Sequence, residues 1–171
     1  MDEQRRISLL TEMVEQHYAL LYRYAYRLSG SASDAEDLAQ QTFLTAQSKL
    51  DQLRDPLHAK GWLCAILRNH YLKSVRSSSA KLLTTLERLP EPPDPVPDDA
   101  PVDSEVLQSA INDMPEEFRT PLVLFYFEEF SYQEIAEQMG VPIGTIMSRL
   151  ARAKVHLRGR LLACEPALMD R

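Results

Sequence analysis

The chain has 171 residues, 44 % of them hydrophobic, which suits one domain or two small ones with compact cores. No apolar run approaches the roughly 20 residues that cross a bilayer. The N-terminal MDEQRRISLLTEM has neither the uncharged core nor the small-residue cleavage site of a secretory signal, so a cytoplasmic protein without membrane insertion is expected. The net charge of −6 argues against a uniformly basic nucleic-acid binder, but the charge is blocked along the chain. Lys60 to Lys81 carries Lys60, Arg68, Lys73, Arg76 and Lys81 with no acid, whereas Leu82 to Glu117 has ten acids against the single Arg88. Pro142 to Leu162 then brings Arg149, Arg152, Lys154, Arg158 and Arg160, again without an acid. Overall charge therefore conceals two candidate nucleic-acid surfaces.

In chain order, Leu9 to Ser29 is predicted as an amphipathic helix with Leu10, Met13, Val14, His17, Leu20, Leu21, Tyr24 and Leu28 on one stripe. His17 has no ligand partner in view and is expected as a partly buried core residue. Gly30 is a natural stop. Ser33 and Glu36 have capping-box spacing for a second helix, whose buried stripe (Ala35, Leu38, Ala39, Thr42, Phe43, Ala46, Leu50) runs to about Leu53. Its other face holds Asp37, Gln40, Gln41, Leu44 and Gln47. Polar but little charged, that face fits a solvated surface and a docking face equally.

Arg54 to Ala59 is a loop around Pro56, followed by a third helix from about Lys60 to Arg76. Trp62, Leu63, Ile66 and Leu67 begin its core side, and Arg68, Asn69, Tyr71, Lys73 and Arg76 decorate the rest. Cations interleaved with Trp62 and Tyr71 suit single-stranded nucleic acid, through phosphate attraction and base stacking; a core tryptophan on an ordinary basic helix accounts for the same residues. Cys64 is expected as a buried thiol and Cys164 as an exposed one. Neither they nor the four histidines show metal-ligand spacing, so no metal and no cofactor is expected.

Pro90, Pro92, Pro93, Pro95, Pro97 and Pro101, mixed with acids, form an extended, self-repelling linker over 81–104. It divides the chain into helical domains at 1–80 and 105–171. The fold class is thus all-α, with two small helical domains joined by a Pro/Asp-rich linker. Val102 to Met114 resumes helix, and Pro115 opens PEEFRTPLVLFYFEEF, where Phe118, Leu122, Val123, Phe125, Tyr126 and Phe130 supply the second core. Pro121 kinks this helix or marks its first turn.

Ser131 to Leu157 has the pattern of a helix-turn-helix. Ser131 and Glu134 form a capping box, and Ile135, Ala136 and Met139 give an apolar side. Gly140, Pro142 and Gly144 punctuate the turn, and Ile146, Leu150, Ala153 and Leu157 recur at helical spacing. Opposite that stripe lie Ser148, Ala151, Arg152 and Val155, with Met147, Arg149 and Lys154 on its shoulders. Short residues lead and cations flank, as a helix in a major groove requires. A solvated terminal helix would also carry positive charge, but the turn and the one-sided charge together favour DNA.

This architecture resembles the extracytoplasmic-function (ECF) group of bacterial RNA polymerase sigma factors. The resemblance rests on DAEDLAQQTFLTA (34–46), WLCAILRNHYLKSVR (62–76) and MPEEFRTPLVLFYFEEFSYQEIAEQMGVPIGTIMSRLARAK (114–154). It implies a promoter-specificity subunit, not an enzyme, whose partners are core RNA polymerase, promoter DNA and an anti-sigma factor. By resemblance, Asp37, Gln40, Gln41, Leu44 and Gln47 dock on polymerase. Arg54, His58, Lys60, Trp62, Arg68, Asn69, Lys73 and Arg76 hold the single-stranded −10 element. Met147, Ser148, Ala151 and Arg152 face bases of the duplex −35 element, with Thr145, Arg149 and Lys154 nearer its phosphates.

Two departures matter. Lys73 stands where the family usually has an acid, and Met147 and Ala151 stand where longer polar readers are common. Neither can donate a bidentate hydrogen bond to a base, which leaves Arg152, methyl contacts and DNA shape for reading the −35 element. The competing expectation is a stand-alone helix-turn-helix regulator that binds duplex DNA without polymerase.

Overall fold

Gly30 takes the left-handed conformation (φ 71°) and its N–H bonds the Tyr26 carbonyl, ending α1 (Glu3–Ser29). That turn brings the following helix back against the first. A computed structural model describes residues 2–78 and 104–169; among them the chain is built of seven α-helices and two short 3-10 turns. It divides into two units, Met1–Ala80 and Lys81–Arg171. The linker lies outside the described residues except for Ser104, which opens α4, and the Cys164 side chain lies outside them too.

In the first unit, α1, α2 (Ala32–Ser48) and α3 (Ala59–Ser78) pack pairwise. Met13, Leu21, Tyr24, Leu28, Leu38, Leu63 and Leu67 are buried between them, with Cys64 among them as a free thiol. Three local expectations need correction. First, α1 begins at Glu3 rather than Leu9, since Arg6 donates to both carboxylate oxygens of Asp51 at 2.8 and 3.0 Å and holds the extra turns. Second, the cap of α2 is Ser31, whose hydroxyl accepts from the Asp34 N–H at 3.3 Å, not Ser33. Ser31 follows Gly30 directly in extended conformation, so the helix starts two residues sooner. Third, α2 stops at Ser48, and Leu50–Gln52 forms a 3-10 turn instead of a continuing helix.

The second unit contains α4 (Ser104–Asn112), α5 (Glu116–Tyr126), α6 (Tyr132–Met139) and α7 (Ile143–Met169), with α7 packed on the other three. Ser131 and Glu134 close the expected capping box, the serine accepting from the Glu134 N–H at 3.2 Å and the carboxylate from the Ser131 N–H at 2.8 Å. Pro115 caps α5, and Pro121 lies inside it, where its missing N–H removes the bond to the Glu117 carbonyl without ending the helix. The second core is not quite the expected one. Leu124 is fully buried while Tyr126 is exposed, its ring edge-on to Phe125, which stacks on Tyr132. Leu157 is only half-buried.

The turn between α6 and α7 depends on Gly140, at φ 66° with open space where a Cβ would stand. Gly144 is also open but helical. Gly140→Ala is therefore expected to destabilise the protein by about 1–2 kcal/mol from backbone strain alone. Gly144→Ala should be neutral or stabilising by up to about 1 kcal/mol. Urea denaturation of the two variants checks the contrast.

Candidate nucleic-acid interface

Ile146, Leu150 and Ala153 turn one side of α7 into the core, which fixes what the other side presents. By helix rotation the outward side divides lengthwise into two tracks. One is apolar and exposed: Ile143, Met147 (52 % exposed) and Ala151, with Lys154 beside its far end. The other is polar and carries Thr145, Ser148, Arg149 and Arg152. Together with Gly144, Phe118 and Glu117, the polar track lines an open groove of ≈ 410 Å³. Arg149 does not reach freely outward: it pairs with Glu117 of α5 at 3.8 Å, and its side chain is only 23 % exposed. All seven residues expected at duplex DNA thus lie off the buried stripe of α7, and Glu117 is an acid set against the polar track.

On α3, Trp62, Asn69, Lys73 and Arg76 fall on one ~60° arc. Asn69, Lys73 and Arg76 are exposed, while Trp62 and Arg68 are half-buried. Tyr71 is buried and belongs to the core, so the aromatic stacking expected of it is corrected to Trp62 alone. Lys60 projects from the opposite side of α3, close enough to His17 of α1 to act on it electrostatically. Ahead of α3 the loop forms a 3-10 turn, Pro56–His58, because Asp55 accepts from the Leu57 N–H at 3.0 Å. The turn thrusts Leu57 outward at 88 % exposure beside exposed His58 and Arg54. Asp55 lies 3.4 Å from the His58 ring. Sequence reasoning passed over Leu57, although an apolar residue between Pro56 and His58 in a surface turn was a visible signal.

On α2, Asp37, Gln40, Gln41, Leu44 and Gln47 are all exposed and share one ~120° face. Leu44, 65 % exposed, stands amid the glutamines as an apolar knob without a core to enter. The C-terminal end of this face is braced by Arg6, which reaches the Gln47 carbonyl at 3.4 Å, and Tyr18 stacks on Phe43 along its flank. A hydrogen bond of 2.8 Å between Thr45 and the His70 ring ties α2 to α3, so both faces of this unit stand on one packed frame. Among the described residues no helix is long and apolar enough to cross a membrane, and no cluster of three or more side chains could hold a metal ion.

The description of Sigma-70 region 2 matches residues 13–81, and that of Sigma-70 region 4 matches residues 104–157. The ECF RNA polymerase sigma factor SigE of Mycolicibacterium smegmatis is 38 % identical over 159 residues. That alignment covers 88 % of this chain but 60 % of SigE, so the chain spans about three-fifths of that relative's length. SigL of Mycobacterium tuberculosis, another ECF sigma factor, is 30 % identical over 155 residues, with 88 % of each chain covered. Among solved structures, the sigma factor RpoE of Bartonella quintana, crystallised with the anti-sigma factor NepR, superimposes with a TM-score of 0.71. It is 28 % identical, with 88 % of this chain and 95 % of that one covered.

Burial lowers the pKa of His17, assisted by the Lys60 ammonium, and that of His70, assisted by Lys73 and Lys49. Each folded value lies below the unfolded one, so below about pH 6.5 the unfolded chain takes up protons that the folded chain refuses. Stability is fully present above that pH and declines as pH falls through it. The thermal midpoint should therefore drop between pH 7.5 and 5.5, and the double change His17→Gln, His70→Gln should flatten part of that fall in circular-dichroism melts.

Proposed function

Because the chain belongs to the ECF group of the sigma-70 family of RNA polymerase sigma factors, we propose that it directs core RNA polymerase to promoters bearing two elements. In this reading the exposed face of α2 docks on the polymerase. Lys73, Asn69 and Arg76, together with half-buried Trp62 and Arg68 on α3, hold the −10 strand once it opens. Leu57, His58 and Arg54 stand at the turn ahead of α3, where an unstacked base would be received. Unstacking costs a few kcal/mol, which is recovered only if aromatic and cationic contacts await the base. Lys73, an exposed cation, adds phosphate attraction where an acid would repel the strand.

The α7 surface meets the −35 duplex. Its apolar track of Ile143, Met147 and Ala151 suits thymine methyl groups, and Arg152 supplies the hydrogen-bond donors that Met147 and Ala151 lack. The partner set is core polymerase, promoter DNA and an anti-sigma factor. The last follows the likeness to RpoE, which is held by NepR in its crystal. The protein performs no chemistry of its own and works in the cytoplasm, where polymerase and promoter are found.

The observation that carries this reading is the match to both regions in their order along the chain, and the exposure of Asn69, Lys73 and Arg76 on α3 and of Met147 and Ser148 on α7 supports it. Reconstituted transcription tests it: purified protein with bacterial core polymerase on fragmented genomic DNA should give new starts that share two upstream motifs at fixed spacing. No new starts, alongside tight duplex binding by the protein alone, would replace it with a stand-alone regulator. Leu44→Asp should weaken association with core polymerase at least tenfold, about 1.4 kcal/mol, as read by size-exclusion or anisotropy titration, while leaving the thermal midpoint almost unchanged. Replacing thymine by uracil at successive −35 positions removes only the methyl groups. At one or more positions it should lower binding by the wild-type protein, and the loss should shrink in Met147→Ala.

A further inference from the structure

An acid set into a surface that approaches DNA works against binding unless it serves a purpose there. Glu117 lies in the first turn of α5 and lines the same groove as Thr145, Ser148, Arg149 and Arg152. Its carboxylate oxygen is 3.8 Å from the Arg149 guanidinium, and the two side chains are 37 % and 23 % exposed. The pairing crosses between packed helices, so it does not arise from sequence proximity.

We propose that Glu117 is a specificity-setting positioning residue. By pairing with Arg149 it holds that guanidinium against α5 and withdraws one positive charge from indiscriminate phosphate contact. Binding then leans more heavily on base reading by the rest of α7. The proposal rests on α7 being the duplex reader, and it adds a means of discrimination to that role. The alternative is that Glu117 merely complements the positive end of the α5 dipole, as Glu116 beside it also does. That role needs nothing from Arg149 and predicts no change in how salt affects DNA binding.

The physical signature is the salt dependence of affinity. A cation released to a phosphate displaces counterions and steepens the slope of log K against log salt by about 0.9 per contact. The experiment uses full-length protein assembled with core polymerase and two duplex probes. One is a promoter fragment recovered by start-site mapping; the other is the same fragment with its upstream motif scrambled. Affinities are measured by anisotropy between 50 and 200 mM KCl, roughly the range over which such slopes are resolved.

Glu117→Gln is expected to tighten binding to the scrambled probe about fivefold and to the promoter less, so that discrimination falls and the slope steepens by about one contact. In an Arg149→Ala background the same change should do neither. The proposal is overturned if Glu117→Gln lowers the thermal midpoint but leaves slope and discrimination intact, or if its effect survives without Arg149. If the wild-type holoenzyme does not distinguish the two probes at all, the reading of α7 as the −35 reader fails, and this proposal with it.

Discussion

Isolated helices of eight or nine residues do not persist in water, because nucleation costs more than a few hydrogen bonds return. Both α4 and α6 are that short, so their existence depends on the apolar side of α7. Ile146, Leu150 and Ala153 supply that side, and Ile111, Ile135 and Ala136 are buried in the same unit. The same constraint acts in the first unit, where the inward stripe of α3 is shared with α1 and α2. Each helix must give one face to its core, and whatever stands on the remaining face is free to serve a partner.

That division lets a protein of net negative charge present two locally basic faces. Stretches of cations free of acids fall on α3 and on the first part of α7, and acids accumulate before and at the start of α5. Screening limits the reach of surface charges to about 8–10 Å at physiological salt, so each basic face acts locally and the overall sign matters little. The polar face of α2 works differently. Glutamines flank an exposed leucine there, a polar rim around an apolar centre, which is the usual anatomy of protein interfaces.

Much of this was legible in the sequence because it is encoded over short spans. Ser131 and Glu134, three residues apart, announce the start of α6, and Gly140 its end; the capping bonds and the left-handed φ are both present. The exposed stripe of α2 follows from 3.6-residue periodicity alone. What stayed hidden depends on partners far along the chain or on choices between near-equal signals. Ser31 and Ser33 are both competent caps, and only the left-handed turn at Gly30 decides between them. Tyr71 and Tyr126 are both amphipathic, and tertiary packing alone sends the first inward and leaves the second out. The hydrogen bond between Thr45 and His70 and the ion pair between Arg149 and Glu117 join different helices, and no local spacing reveals them.

The clean separation of inward and outward positions on α7 also bears on how such a protein changes over generations. Ile146, Leu150 and Ala153 carry the fold, whereas Met147, Ser148, Ala151 and Lys154 are exposed and contribute little to it. Exposed helix positions tolerate most replacements within about 0.5 kcal/mol, so the outward set can vary almost independently of stability. A duplicated copy can therefore change its outward α7 surface one residue at a time while remaining folded at every step.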